Sequence, residues 1–237
     1  MRGWAAFTAD LLLPRRCAAC DSWLDLGHPS AFCAGCWRTM EMPIGALCAR
    51  CGVPISAPLL LCATCATRPP AFDVARALGL YLAGPAMLNP LARAVRAVKF
   101  RGHRAAARSL GTALGALVPL PADTLVVPVP LHPTRLRERG YDQAALLAHS
   151  CARAAGLRLA VRGLVRRRDT PAQAGLNASA RRTNLAGAFV APAPIAHATV
   201  ALVDDVLTTG ATADACTRAI RAAGAERVVV LTVGRTP

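Results

Sequence analysis

VALVDDVLTTGAT, at residues 200–212, is the most informative pattern in this chain. An apolar run rich in β-branched residues (200–203) predicts a buried strand, and the acids Asp204 and Asp205 follow it. A helix is predicted directly after the loop, and a second buried strand, 227–233, after the helix. This order of strand, loop, helix and strand predicts a βαβ unit. The fold class is therefore α/β, with a mostly parallel sheet flanked by helices.

The loop between the strand and the helix has the composition of an anion site. Its residues are Thr208, Thr209, Gly210, Ala211 and Thr212. Unpaired N–H groups at a helix N-terminus attract an anion, threonine hydroxyls add donors, and glycine allows close approach of a phosphate. Asp204 and Asp205, both expected to be exposed, suit ribose hydroxyls or a hydrated Mg²⁺. The pattern indicates a sugar-phosphate site; an ordinary strand-to-helix turn with solvated acids is the alternative.

This stretch resembles the PRPP-binding motif of the type I phosphoribosyltransferases, in which two acids precede Thr-Thr-Gly-x-Thr. The resemblance implies that Asp204 and Asp205 bind the ribose hydroxyls of PRPP (phosphoribosyl pyrophosphate). It implies that the loop 208–212 binds the 5′-phosphate. It also implies a Mg²⁺-assisted displacement at the anomeric carbon of PRPP.

Composition limits the class of protein. The chain has 237 residues, a formal net charge of +15 and a hydrophobic content of 54%. Its length fits one average domain and a small additional module. No window offers about 18 or more uninterrupted apolar residues, so no membrane span is expected. Asp10 interrupts the apolar N-terminal patch and no cleavage site follows it, which argues against a signal peptide. A cytoplasmic protein is therefore expected.

Eight of the ten cysteines lie in the first 65 residues and form four C-x-x-C pairs. The pairs are Cys17/Cys20, Cys33/Cys36, Cys48/Cys51 and Cys62/Cys65. A gap of two residues lets both thiolates of a pair face one metal ion, and eight thiolates suit two tetrahedral zinc sites. Sequential pairing assigns the first four cysteines to one site, but the spacing also allows an interleaved pairing. A disulfide scaffold is disfavoured in the cytoplasm, and redox chemistry needs fewer pairs.

Both zinc sites are expected to be structural, because four sulfur ligands leave no open coordination position. A segment this short lacks a sufficient apolar core, and metal binding would contribute about 10–16 kcal/mol of folding free energy per site. Trp23, Phe32 and Trp37 lie among the cysteines and are expected to pack rather than to stack on a ligand. The remaining cysteines, Cys151 and Cys216, are expected in the core.

The middle of the chain alternates between helical and extended patterns. After a linker at residues 68–70, extended structure is expected over 72–82 and helices over 85–100 and 104–118. A buried strand is predicted at 124–131.

Lys99 is the only lysine among 28 basic residues. A coding bias towards arginine explains the composition, but the surviving lysine is a candidate for a role that arginine cannot fill. We expect Lys99 to approach the pyrophosphate side of the site from the end of its helix, beside Arg101. Chance survival is the alternative.

An arginine-rich segment, HPTRLRERGYDQ at residues 132–143, follows the strand at 124–131. It places Arg135, Arg137 and Arg139 on alternate positions of an expected loop, before a helix at 144–155. An arginine-rich loop between a strand and a helix predicts a second anion site on the same sheet edge. In phosphoribosyltransferases the loop after an equivalent strand binds pyrophosphate. A solvated basic loop is the alternative.

A second basic segment, at residues 162–184, is long and polar. It carries Arg166, Arg167, Arg168, Arg181 and Arg182. The segment fits a mobile flap that closes on a polyanion, and it fits a disordered or nucleic-acid-binding segment equally well.

Taken together, the motifs are similar to those of the ComF family. They are the four C-x-x-C pairs, VKFRG (98–102), PVPLHPTRLRERGYDQ (128–143), RRDTPAQAGLNASARRTNLAGAF (167–189) and VDDVLTTGAT (203–212). The resemblance covers nearly the whole chain. It implies a double zinc-ribbon module at residues 1–68 and a phosphoribosyltransferase-like domain at residues 69–237. It also implies a link to competence, the uptake of DNA for transformation, with single-stranded DNA and a DNA-uptake helicase as expected partners.

Three functions remain open. They are transfer of phosphoribose from PRPP to an unknown acceptor, non-catalytic sensing of PRPP or a nucleotide in DNA uptake, and binding of single-stranded DNA along a basic surface. For the enzyme, catalytic roles are assigned to Asp204, Asp205, Lys99 and Arg139. Phosphate binding is assigned to the loop 208–212 and to Arg135, Arg137 and Arg101. The cofactors are two structural Zn²⁺ ions and a Mg²⁺ ion that accompanies PRPP.

Overall fold

A computed structural model describes residues 14–40, 45–82, 89–168, 185, 187–195 and 199–237. Its helices are α1 (Ala34–Met40), α2 (Ala63–Thr67), α3 (Pro90–Arg101), α4 (Arg104–Gly115), α5 (Pro133–Arg139), α6 (Gln143–Ala155) and α7 (Ala211–Ala222). Its strands are β1 (Val74–Leu80), β2 (Leu125–Pro128), β3 (Arg158–Leu159), β4 (Val165–Arg166), β5 (Phe189–Val190), β6 (Thr199–Leu207) and β7 (Arg227–Arg235). None of the helices among these residues is long and apolar enough to cross a membrane.

The central sheet has five parallel strands in the order β1-β7-β6-β2-β3. This confirms the α/β fold class. The inner strands β6 and β7 are almost continuously buried, as expected for parallel strands covered on both faces. β4 and β5 form a separate antiparallel pair. The carboxyl ends of β2 and β6 lie side by side, because Pro128 pairs with Val203.

Two hydrophobic cores lie on opposite faces of the sheet. One joins Ala201 and Val203 of β6 to α3, α4 and α6, and it includes Cys17 and Cys36. The other joins the alternate residues of β6 to α7, and it includes Cys48, Cys51 and Cys65. The first four-cysteine unit therefore packs with the core on the α3, α4 and α6 side, and the second packs with the core on the α7 side.

The segment 132–143 differs from the expected loop, because Pro133–Arg139 form helix α5. The Nδ1 atom of His132 accepts a hydrogen bond from the N–H of Thr134 at 3.3 Å, and Pro133 lies in the first turn. Gly140 ends the helix with a φ of 74°. Since a helix repeats about every 3.6 residues, Arg135 and Arg139 share a face and Arg137 lies on another.

The aromatic residues of the N-terminal module divide into two kinds. Phe32 is buried and its ring meets Trp37 edge-on, with centroids 5.3 Å apart, which confirms packing roles for both. Trp23 is 60% exposed, and the guanidinium of Arg16 lies 4.0 Å from the centre of its ring. Trp23 therefore packs against Arg16 at the surface and is not part of the buried core.

Cys151 and Cys216 are fully buried, as expected of core residues. Burial raises the pKa of the Cys151 thiol to about 11 and raises that of Cys216 well above its usual value. Both thiols therefore stay protonated at neutral pH. Of the predicted basic flap, residues 169–184 lie outside the described part of the chain, as do residues 85–88 of the predicted helix 85–100.

Candidate functional site

Asp204 and Asp205 lie within β6 rather than after it, since the strand continues to Leu207. Successive side chains of a strand point to opposite faces of its sheet. Asp205 accordingly contacts α3 and α6, whereas Asp204 lines a pocket beside α7. The two carboxylates therefore face different surroundings.

Asp205 is buried, which corrects the expectation that both acids are exposed. Its Oδ2 atom lies 3.2 Å from the ammonium of Lys99 on α3. The same oxygen accepts a hydrogen bond from Nε2 of Gln143 on α6 at 3.3 Å. A buried carboxylate needs such partners, because its desolvation is otherwise costly.

The network extends from Gln143 to Arg139. Nη1 of Arg139 donates to Oε1 of Gln143 at 2.9 Å, and its guanidinium lies 5.7 Å from the centre of the Phe100 ring. Asp205 thus contacts Lys99 directly and is linked to Arg139 through Gln143. Gln143, which joins α5 to β6, was assigned no role from the sequence.

The residues beside Gln143 fix the helices that carry this network. The Oη atom of Tyr141 accepts a hydrogen bond from the N–H of Gly102 at 2.9 Å, where α3 ends with a left-handed residue. Asp142 caps α6 and accepts from the N–H of Ala145 at 3.0 Å. Burial raises the pKa of Asp142. Asp142 lies two residues before the predicted helix at 144–155, and an acid near the start of a helix is a capping signal that could have identified it.

Asp204 has an unusual protonation equilibrium. Its Oδ1 atom accepts a hydrogen bond from the N–H of Asp205 at 2.8 Å. Burial, together with the charge of Asp205, raises the pKa of Asp204 to about 8. The hydrogen bond and the charge of Lys99 act in the opposite direction. A carboxyl that holds a proton near neutral pH can donate a hydrogen bond as well as accept one.

The pocket of Asp204 lies between the end of β6 and the start of α7. Thr208, Gly210, Thr212 and Thr232 contribute to its lining. Gly210 is the N-cap of α7 and has a φ of 79°. Within the described residues, the N-terminus of α7 receives only one long side-chain bond, from the N–H of Ala211 to Thr209 Oγ1 at 3.4 Å. The first turn of α7 thus has few side-chain caps among the described residues, and its binding of an anion stays a prediction.

The other predicted phosphate-binding arginines do not line the pocket of Asp204 among the described residues. Arg101 is exposed at the end of α3, and Arg137 is exposed on α5. Arg135 is half-buried on α5. In the part of the chain that the structure describes, no hydrogen bond or ion pair joins these three residues to Asp204 or Asp205. Their phosphate-binding role stays a prediction.

The eight N-terminal cysteines form two clusters with the sequential pairing. The sulfur atoms of Cys17, Cys20, Cys33 and Cys36 lie within 4.8 Å of one another, as do those of Cys48, Cys51, Cys62 and Cys65. Zn–S bonds of about 2.3 Å in a tetrahedron separate the sulfur atoms by about 3.8 Å. The distances from Cys20 to Cys33 and from Cys51 to Cys62 are both 3.7 Å.

Backbone N–H groups also point at the sulfur atoms, as in a metal-binding knuckle. The N–H of Cys33 donates to Cys17 Sγ at 3.4 Å, and the N–H of Cys62 donates to Cys48 Sγ at 3.4 Å. These bonds favour the thiolate form that a metal requires. None of the described cysteines is in a disulfide. The donor set and its spacing fit two structural zinc ions.

This architecture defines a protein with an N-terminal zinc-ribbon module and an α/β domain built on a parallel sheet. Residues 8–67 match the family model for the double zinc ribbon domain. The chain is 30% identical over 233 residues to DNA utilization protein YhgH of Salmonella typhi, covering 95% of this chain and 99% of that protein. It is 29% identical over 231 residues to competence protein F of Haemophilus influenzae, covering 93% and 96%. The chain belongs to the ComF family.

Two solved structures also show likeness in fold. One is glutamine PRPP amidotransferase from B. subtilis in complex with ADP and GMP, with 22% identity and a TM-score of 0.37. The other is an allosteric regulatory enzyme of purine biosynthesis, with 24% identity and a TM-score of 0.38. Each comparison covers 55% of this chain and 26% of the other.

Proposed function

We propose that this protein binds PRPP or a related 5′-phosphorylated ribose at the carboxyl edge of its sheet. The observation that carries the proposal is the open N-terminus of α7, with the left-handed Gly210 before it and the carboxyl group of Asp204 in the same pocket. Backbone N–H groups, a helix dipole and threonine hydroxyls together favour a phosphate. The adjacent carboxyl group favours the hydroxyls of the attached sugar.

The proposed pose divides the ligand among three groups of residues. The 5′-phosphate contacts the loop 208–212, and the ribose lies beside Asp204. The pyrophosphate extends towards Lys99 and Arg139, with Arg135, Arg137 and Arg101 at the rim. Because Lys99 is paired with Asp205 at 3.2 Å, a bound pyrophosphate competes with Asp205 for the ammonium.

Magnesium fits this site as a companion of the ligand. Among the described residues, only the two cysteine clusters bring three or more metal-ligating side chains together. Mg²⁺ commonly keeps several waters and binds through one or two carboxylates plus substrate phosphates. Asp204 is the carboxyl group in the pocket that such an ion would reach. The ion would neutralise charge on the diphosphate.

The same arrangement supports transfer of phosphoribose to an acceptor. An acceptor nucleophile forms a bond to the anomeric carbon while the bond from that carbon to a pyrophosphate oxygen breaks. Pyrophosphate leaves with the electron pair of the broken bond. Lys99 and Arg139 would stabilise the charge that develops on the leaving group. The acceptor is not identified by any residue of the site.

The family supplies the biological context of the proposal. Two relatives carry the names competence protein F and DNA utilization protein YhgH. We infer that this protein serves DNA uptake or use from the cytoplasm, where a DNA-uptake helicase would be a partner. The proposed division is a zinc-ribbon module at 1–68 and a sugar-phosphate-binding domain at 69–237.

A second candidate function is binding of single-stranded DNA. The supporting observation is Phe100, which is 62% exposed and has two guanidinium groups near its ring. Those of Arg96 and Arg139 lie 5.4 and 5.7 Å from the ring centre. Exposed aromatic rings among arginines are typical of proteins that stack on unpaired bases and follow their phosphates. The net charge of +15 adds attraction for a polyanion.

Calorimetric titration with PRPP, ribose 5-phosphate and AMP, each with Mg²⁺, tests the first proposal. PRPP and ribose 5-phosphate should both bind, and Gly210→Ala should weaken both at least tenfold because its Cβ strains the loop. Gly156→Ala is the matched control, since Gly156 has a φ of 68° and open space at the end of α6. Absence of PRPP binding to the wild-type protein, or equal losses in both variants, would contradict the proposal.

A further inference from the structure

Arg235, at the end of β7, connects the second four-cysteine cluster to the phosphate loop. Its Nε atom donates to the carbonyl oxygen of Cys51 at 3.2 Å, and its Nη2 atom lies 3.7 Å from Cys51 Sγ. Its Nη1 atom donates to the carbonyl oxygens of Leu207 at 3.2 Å and Thr208 at 2.8 Å. One guanidinium therefore bridges a zinc ligand and the residues at which β6 ends and the loop begins.

The charge of the metal site makes this bridge dependent on zinc. Four thiolates around one Zn²⁺ carry a net charge of about −2, which a neighbouring cation and N–H donors stabilise. When zinc leaves, Cys51 is no longer held by the metal, and the two atoms of Cys51 that Arg235 contacts lose their fixed position. The guanidinium that binds the carbonyl oxygens of Leu207 and Thr208 is then held less firmly.

The second ribbon, which carries Cys48, Cys51, Cys62 and Cys65, approaches the loop 208–212 at another point as well. Nη1 of Arg50 donates to the carbonyl oxygen of Phe72 at 3.2 Å. The ring of Phe72 lies against Gly210, where an added Cβ would be 3.6 Å from Cε1 of the ring. The loop is thus connected to the second ribbon at two points, through Arg235 at its start and through Phe72 at Gly210.

The first ribbon makes a different set of contacts. Nη1 of Arg93 on α3 donates to the carbonyl oxygen of Ala19 at 3.3 Å. The N–H of Ala31 donates to Oγ of Ser109 on α4 at 3.0 Å. These bonds join the first ribbon to the helices on the other face of the sheet. The second zinc site is therefore connected to the phosphate loop, whereas the first is connected to helices α3 and α4.

We propose that Arg235 is a positioning residue that couples zinc occupancy of the second ribbon to the phosphate affinity of the loop 208–212. The coupling rests on the proposed function, because it requires that this loop binds a 5′-phosphate. Coupling between two sites is reciprocal. Zinc in the second site strengthens phosphate binding, and a phosphate on the loop strengthens zinc binding by the same factor. We expect this stronger binding to appear as slower release of that zinc.

Zinc release to a chromogenic chelator, from the full-length zinc-loaded protein, tests this coupling with ribose 5-phosphate as the probe. In the wild-type protein, saturating ribose 5-phosphate should slow the release of one of the two zinc ions about fivefold or more. Arg235→Ala should release that zinc about 10–100-fold faster, as expected when a partner of a metal ligand is removed. In this variant the probe should no longer slow the release.

Two further variants separate coupling from general destabilisation. Arg235→Lys keeps the positive charge, but a single ammonium group cannot donate to Cys51 and Thr208 at the same time. This variant should therefore retain zinc, and ribose 5-phosphate should no longer slow its release. Arg76→Ala is the matched control, because Nη1 of Arg76 donates to the carbonyl oxygen of Ala49 in the same ribbon at 3.2 Å. It should keep the slowing by the probe. Slowing that persists in both Arg235 variants overturns the proposal.

Hydrogen exchange without any ligand distinguishes failure of the coupling from failure of the proposed function. Removal of zinc from the wild-type protein should speed amide exchange at residues 208–213 at least tenfold, and Arg235→Ala should exchange fast with zinc bound. If the wild-type protein fails to bind ribose 5-phosphate, the proposed function is wrong. If the amide exchange rates at residues 208–213 change neither with zinc removal nor in Arg235→Ala, the coupling between the second zinc site and the loop is absent.

Discussion

The ammonium of Lys99 lies 3.2 Å from the carboxylate of Asp205, and their side chains are 32% and 8% exposed. The lone lysine of the chain thus neutralises a buried acid between α3 and β6. An arginine has a wider, planar head group, so it could not make the same contact with Asp205 unless neighbouring atoms moved. The pair is compatible with both a structural role and the proposed pyrophosphate role, since the Lys99 side chain keeps part of its surface exposed.

The Lys99–Asp205 pair should show energetic coupling. Lys99→Met leaves a buried carboxylate without its cation, and we expect a loss of about 1–3 kcal/mol, between the values for exposed and fully buried pairs. Lys99→Met combined with Asp205→Asn should recover more than half of that loss. Urea unfolding in zinc-containing buffer measures both. Arg108→Met, an exposed cation on α4, is the control. Equal midpoints for the single and double variants would show that the pair is not coupled.

Replacing Asp204 and Asp205 with Asn should weaken PRPP binding at least tenfold, about 1.4 kcal/mol. Because Asp205 is buried against Lys99, the single variant Asp204→Asn is the cleaner test of ligand contact. It should lose affinity without losing stability. Asp21→Asn, on an exposed turn of the first ribbon, serves as the control. Calorimetry that finds unchanged affinity in Asp204→Asn and in the double variant would mean that the acids do not contact the ligand.

Stability should fall as the pH rises through the titration of Asp204. Its pKa is raised from 3.8 in the unfolded chain to about 8 in the folded protein, chiefly by burial. The folded state therefore holds a proton that the unfolded state has lost, and this costs stability increasingly from pH 4 to pH 8. Urea midpoints between pH 6 and 9 should decline in the wild-type protein. They should decline less in Asp204→Asn, and an identical decline would contradict the assignment.

Metal analysis of protein purified under reducing conditions should find two zinc ions per chain, one for each cluster. Cys20→Ser and Cys62→Ser should each reduce the zinc content to about one, because each removes a ligand from a different site. A content near zero, with the N-terminal module still folded, would refute the structural role of zinc.

Binding of single-stranded DNA should weaken steeply with salt, with a log–log slope near −0.7 for each phosphate neutralised. Arg167 and Arg168 are exposed at the start of the basic segment. Replacing both with Ala should make the slope less steep by about 1.4, equivalent to two phosphates. If the wild-type protein has no affinity for single-stranded DNA at low salt, the DNA-binding hypothesis is wrong and the net charge reflects amino-acid composition alone.

Short sequence patterns predicted those parts of the site whose residues are close together in the chain. β6, the loop and α7 are contiguous, so residues 200–212 contain the signals for all three. The zinc ligands are likewise fixed by short spacings. The burial of Asp205 could not be predicted, because its partners Lys99 and Gln143 come from distant helices and isolated acids are usually exposed.

The contact between Arg235 and Cys51 was missed for the same reason, since 184 positions separate the two residues. Helix α5 was missed because its capping residue is histidine, which is outside the usual set of N-cap residues. The arginine-rich segment was expected to be a loop, whereas Pro133 and Gly140 mark the ends of a helix.

The position of β7 between β1 and β6 sets the order in which the chain can mature during translation. β1 is an edge strand whose neighbour in the described sheet, β7, is synthesised about 150 residues later. At 5–20 residues per second this interval lasts roughly 7–30 s. The two cysteine clusters leave the ribosome before β7 does. We therefore expect zinc supply during translation, before β7 has been made, to influence how much of this protein reaches its native state.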